Sequence, residues 1–212
     1  MALTEDELRK LLLEAKTPTS RSKKRGYISA QPWFYPAVAF AAYTGARRGE
    51  VLALRWSEVN LKEKLITIAR SLTERMEFKA PKNDRTRIVE IEDDLCEILR
   101  AHGAEQAKEK DALGPAYRDE GLVFARADGS PVDPWNFGRP VLDCIKRAKV
   151  TPITLHGLRD TNASLLSQAG VPIEVISKRL GHANVQVTAE RYLYVYSERG
   201  REAARAFENL VR

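Results

Sequence analysis

The stretch Tyr43–Trp56, "YTGARRGEVLALRW", sets two arginines behind a Thr-Gly pair, with a glutamate three residues after the first of them. From Trp33 to Trp56 the apolar spacing is dense and helical, which predicts a buried helix. On such a helix Arg47 and Glu50 share a face, while Val51, Leu52 and Leu54 supply the buried side. An arginine beside a core stripe needs an acceptor. Glu50 can hold one edge of the Arg47 guanidinium and leave the other donors to grip an oxyanion through two points. A surface salt bridge is the plainer reading of the same pair.

Working outward, two more clusters have the same character. "HGLRDT" places His156 and Arg159 three apart, with Leu155 and Leu158 as apolar partners. "RLGHANVQVTAERYLY" puts His182 just past a glycine helix stop and Tyr192 ten residues on. The chain has 3 histidines, and two fall in these clusters. A lone histidine beside a core is commonly structural, but the joint occurrence of Arg-x-x-Glu, His-x-x-Arg and Gly-His…Tyr points to chemistry. Two guanidinium forks suit a phosphodiester, whose transition state gathers negative charge on its non-bridging oxygens. A tyrosine hydroxyl can attack phosphorus and form a covalent phosphoenzyme, provided cations or a base help a phenol whose ordinary pKa is near 10.

Other chemistries find no support. There is no glycine-rich phosphate loop and no His-Glu-x-x-His or Cys-x-x-Cys metal pattern. The acid run Glu92-Asp93-Asp94 reads as a helix start rather than a two-metal site. The 212 residues, 43% hydrophobic and 30% charged, suit a soluble globular chain. No apolar run approaches the roughly 20 residues that cross a bilayer, and no secretion signal opens the sequence. An intracellular, cytoplasmic location is expected, with Cys96 and Cys144 as reduced, buried thiols. The formal charge of +6 favours a polyanionic partner.

The remaining pattern predicts a mainly helical α+β chain with one small antiparallel sheet, in a single domain. "LTEDELRKLLLEA" reads as a helix capped by Thr4 with acids in its first turn. Pro36 suits a first helical turn. Ile66 and Ile68 alternating around Thr67, and the β-branched Ile88, Val89 and Ile91, predict two or three short strands, with "KND" (82–84) as a turn. A helix starts at Asp93 or Asp94. An Asp-Gly turn at 128–129 precedes a helix start near Asp133-Pro134, mostly helical after Pro140. Gly170 closes one helix, Pro172 starts the next and Gly181 ends it. One or two further helices are expected from "VTAERYLYVYSERGREAARAFENLVR".

"TGARRGEVLALRW", "HGLRDTNASLLSQAGVPIEVISKRLGHANVQVTAERY" and the strand-rich piece between them resemble the catalytic domain of tyrosine recombinases, the phage-integrase family. The resemblance runs from about Leu3 to Tyr196. It implies residue roles: Arg47 as the first catalytic arginine, Glu50 as the acid that buttresses it, and Lys82 as the strand-turn lysine that protonates the leaving 5′-oxygen. His156 and Arg159 match the His-x-x-Arg pair, His182 the second histidine on the phosphate, and Tyr192 the nucleophile. Arg48 falls at a variable position, suited to a surface or DNA-backbone contact. Lys79 is the runner-up lysine, because Asn83 and Glu90 depart from the family pattern; Tyr194 and Tyr196 compete with Tyr192. The resemblance further implies double-stranded DNA as partner, a monomer that becomes a tetramer on DNA, and cleavage with rejoining through a 3′-phosphotyrosyl link without metal or other cofactor. The family's separate DNA-clamping, core-binding domain is read as absent, so that residues 1–212 form the catalytic domain alone. Basic "SRSKKR" would hold DNA phosphates or be an ordinary solvated loop. The C-terminal helix would dock on a neighbouring subunit or fold back on its own core. A nicking-closing enzyme of the type IB topoisomerase kind and a non-catalytic DNA-binding module are the alternatives.

Overall fold

A computed structural model describes residues 1–17, 31–80, 86–182, 184, 186, 205 and 207–211. Helix α1 (Glu5–Ala15) starts as its sequence predicts. The Thr4 hydroxyl accepts the Glu7 N–H, and Glu7 Oε2 accepts the Thr4 N–H at 2.9 Å. This reciprocal cap satisfies two donors that a helix start otherwise leaves open. Glu7 Oε1 also accepts the N–H and hydroxyl of Thr151, at 2.8 and 2.6 Å. One carboxylate thus ties the first helix to a loop 144 residues away.

Those bonds, the Thr151 hydroxyl first, draw the Glu7 pKa down to about 2. A depressed carboxylate pKa stabilises the fold fully above the ordinary value, near 4.5, and the contribution disappears as pH falls toward the folded value. The melting temperature of Glu7→Gln should therefore lie below that of the parent above pH 5. Thermal melts in steps down to pH 3 should show the gap narrowing.

Helix α2 (Phe34–Thr44) is buried nearly all round, with Phe34, Ala37, Val38 and Phe40 inaccessible to solvent, and Pro36 lies in its first turn. The expected continuous helix from Trp33 to Trp56 does not form. Gly45 takes a left-handed φ of 64° and stops α2. A Cβ there would lie 2.4 Å from Leu180 Cδ2, so both the conformation and the space call for glycine. Arg47 is extended (φ −70°, ψ 154°) and precedes the short α3 (Arg48–Ala53).

The strand region is more divided than the alternation suggests. A three-stranded antiparallel sheet runs β1 (Val59–Asn60), β2 (Leu65–Ile68), β5 (Arg87–Glu90), and a separate hairpin pairs β3 (Ser71–Leu72) with β4 (Phe78–Lys79). In the β2–β5 register Ile66 faces Val89 and Ile68 faces Arg87. The "KND" turn lies outside the described residues.

Helix α4 (Asp93–Leu113) follows. Then α5 (Pro134–Ala148) begins where Asp133 Oδ1 accepts the Trp135 and Asn136 N–H groups. The start falls at Asp133-Pro134 as expected, and the helix is regular before Pro140 as well as after it. The helix runs through Pro140, giving up one internal bond, because Phe137, Val141, Cys144 and Ile145 form a buried stripe on both sides of it. Helix α6 (Leu155–Gln168) ends at Gly170 (φ 92°), and α7 (Ile173–Leu180) ends at Gly181 (φ 69°).

The core gathers α2, the inner sheet face, α4 and α5. Phe34 packs edge-on against Trp33 and Phe137, which meet each other at a tilt, and Phe40 packs on Phe124. Cys96 and Cys144 are free and buried, and burial pushes both thiols up, Cys144 to about 11. No helix among the described residues is long and apolar enough to cross a membrane.

Candidate active site

Gly45 and the extended Arg47 give the site its shape. The Arg47 N–H donates to Glu50 Oε2 at 2.7 Å and its Nη1 donates to Oε1 at 3.0 Å. Glu50 therefore holds Arg47 as the three-residue spacing predicts, but from the first turn of α3 rather than along a shared helix. On its other side Glu50 takes a two-point fork from Arg87, Nη1 to Oε1 at 3.0 Å and Nη2 to Oε2 at 2.7 Å. Glu50 is 2% exposed. Burial alone would push its carboxyl up; the Arg87 hydrogen bonds and charge, then the Arg47 N–H and charge, outweigh that and hold it below its ordinary range. One buried anion between two guanidinium groups leaves this triad with a net positive charge.

Arg159 is buried at 2% exposure. Its Nη1 donates to the Gly45 carbonyl at 2.8 Å and its Nη2 to the Leu180 carbonyl at 2.6 Å. The first acceptor lies two residues before Arg47, the second two residues before His182. The ends of α2 and α7 thus meet on one guanidinium. Helix C-termini carry open carbonyls and the negative end of the dipole, which favour a cation. Arg179 continues the pattern, with Nη1 on the Glu90 carbonyl at 2.9 Å and Nη2 on that of Tyr43 at 3.1 Å. Asn162 Nδ2 donates to the Ala42 and Tyr43 carbonyls.

His182 is half-buried and enters through the α7 stop. The Gly181 N–H reaches the Lys178 carbonyl and the His182 N–H that of Ser177, both at 3.1 Å, a closure that fixes the backbone on which the imidazole is mounted. His156 is exposed one turn before Arg159, in the first turn of α6. The structure therefore joins the surroundings of Arg47, Glu50, Arg159 and His182 through shared hydrogen bonds. Lys82, Tyr192 and the competing Tyr194 and Tyr196 lie outside the described residues, as does "SRSKKR". The runner-up Lys79 is exposed on β4, its Nζ 2.7 Å from Glu77 Oε2. Arg48 pairs with Glu74 at 2.8 Å.

Sequence reasoning missed Arg87, Arg179 and Asn162. Only Arg87 left a trace: two residues before Val89, it falls on the same strand face as that core residue.

The Phage integrase family model matches residues 1–199. The chain belongs to the phage integrase family. Among the relatives of this integrase-family chain is the "Tyrosine recombinase XerC-like" protein of Caldanaerobacter subterraneus subsp. tengcongensis, 28% identical over 79% of this chain and 47% of the relative. The chain spans about half the length of the curated relatives it matches. XerA recombinase superposes with a TM-score of 0.72 at 25% identity, over 96% of this chain and 65% of XerA. XerH site-specific recombinase, in a post-cleavage complex with its palindromic difH substrate, gives 0.69 at 23% identity, over 98% and 53%. The mainly helical fold with its small antiparallel sheet is thus that of tyrosine recombinases.

Proposed function

We propose that this chain is the catalytic domain of a site-specific DNA recombinase or integrase. It cuts and rejoins double-stranded DNA through a 3′-phosphotyrosyl intermediate. The observation that carries the reading is the double anchorage of Arg159 to the Gly45 and Leu180 carbonyls, which draws the Arg47 and His182 segments toward one centre. In the first step Tyr192 Oη forms a bond to phosphorus as the bond to the 5′-oxygen breaks. His156 assists removal of the phenol proton, and Lys82 delivers a proton to the departing oxygen. Arg47, Arg159 and His182 stabilise the charge on the pentacoordinate phosphorus, and Glu50 holds Arg47. Attack by a 5′-hydroxyl of another strand reverses the step, so the phosphoryl bond energy is kept and neither nucleotide nor metal is consumed. The working assembly on DNA is a tetramer built from a monomer. Buried thiols, a basic charge and a DNA substrate fit the cytoplasm.

The test is covalent capture on a pool of end-labelled nicked duplexes of randomised sequence. After denaturation, label should migrate with the protein, in the presence of chelator as in its absence. No linked label, or linkage lost with chelator, would refute the reading. Strand exchange between two duplexes separates recombination from nicking and closing.

A further inference from the structure

We propose that Arg87 is a positioning residue for this site: it sets Arg47, through Glu50, and the His182 turn in one frame. The inference rests on the recombinase reading above. Arg87 is 8% exposed, and all three nitrogens of its guanidinium donate to protein groups. Nη1 and Nη2 fork onto the Glu50 carboxylate, and Nε donates to the Arg179 carbonyl at 2.9 Å. The first contact governs the acid that holds Arg47. The second grips the last turn of α7, three residues before His182.

Packing strengthens the link. A Cβ on Gly181 would stand 2.9 Å from Arg87 Cδ and 3.1 Å from Nη1, so the glycine turn rests directly on the arginine side chain. The strand register holds that side chain inward, since Arg87 lies opposite Ile68 on the buried face of the sheet while the neighbouring Ile88 is 56% exposed. A sheet that hides the arginine and exposes the isoleucine follows its ion pair rather than its hydrophobicity. Lysine could keep the charge, but one ammonium cannot span a carboxylate fork and a carbonyl in the same plane.

Arg87→Lys, Arg87→Met, Glu50→Gln and the Arg87→Lys/Glu50→Gln double variant test this. The readouts are the single-turnover rate of adduct formation on a nicked duplex, the DNA dissociation constant and the thermal melt. Displacing a catalytic group by about 1 Å lowers a rate by about 100-fold, so Arg87→Lys should lose on that order in rate while its DNA dissociation constant moves by less than about threefold. Because part of the Arg87 effect runs through Glu50, the loss in the double variant should fall short of the product of the two single losses. If Arg87→Met does not fold, Arg87→Lys, which keeps the charge, carries the test. A parental rate in Arg87→Lys, or losses that multiply in the double variant, would overturn the proposal. Joint loss of rate and DNA affinity that recovers on cooling would also overturn it, as plain destabilisation. No adduct with the parent chain would refute the recombinase reading, and this proposal with it, before any variant is compared.

Discussion

Tyr192→Phe should form no covalent adduct with nicked DNA, a loss of at least about 10⁴-fold that reaches the floor of the assay, as expected when a nucleophile is removed from a group of residues acting as a unit. Phenylalanine keeps the ring and removes only the oxygen that would bond to phosphorus. Affinity for DNA should change by less than about twofold, because cationic contacts to the phosphate backbone supply it. The pair of measurements matters. Loss of adduct with retained binding marks the nucleophile, whereas loss of both marks damage to the fold. Tyr194→Phe and Tyr196→Phe should keep forming adduct. Label still linked to Tyr192→Phe but absent from Tyr194→Phe or Tyr196→Phe would move the role to that tyrosine.

Glu50→Ala should be the most destabilising change in the site, by about 3–5 kcal/mol, the usual range when one partner of a buried ion pair is removed. The carboxylate is buried against Arg87, whose side chain is 7% exposed, and against Arg47, at 28%. Without it Arg87 remains as a buried cation with no counter-charge from Glu50. Denaturant unfolding at neutral pH measures the loss. Since the folded carboxyl is held below its ordinary range, its contribution is complete above pH 4.5 and fades on acidification. Glu50→Ala combined with Arg87→Met removes both charges and should recover part of the stability, as apolar replacement of buried pairs does. It should not recover adduct formation, because Arg47 then lacks both of its bonds to the Glu50 carboxylate. Recovery of both would mean that Glu50 serves the fold alone.

Features that rest on local chemistry were legible in the residues. Thr4 and Glu7 announce the α1 cap, Asp133-Pro134 the start of α5, and Gly170 and Gly181 the ends of α6 and α7. The Arg47–Glu50 contact was legible too, although for a geometric reason that differs from the one expected. The break at Gly45 was hidden because the apolar spacing continues across it, and only the distant Leu180 shows why no side chain fits there. Arg87 was hidden because alternation gives two faces without saying which is inner, and hydrophobicity favours Ile88. Arg179 and Asn162 act on backbone carbonyls of α2, more than 100 residues away in sequence, and no spacing rule reports such a partner. The roles of Lys82 and Tyr192 rest on the family resemblance, and both residues fall outside the described part of the chain.

The anchorage of Arg159 spans 114 positions to Gly45, and Arg179 reaches back 136 positions to Tyr43. Such long loops close late, after nearby contacts have formed. A nascent polypeptide that has left the ribosome only as far as α5 carries Arg47, Glu50 and Arg87 but none of the α6 and α7 groups that knit them together. Premature termination or proteolytic loss of the last third therefore leaves a remnant without the Arg159 and Arg179 ties that fasten the end of α2.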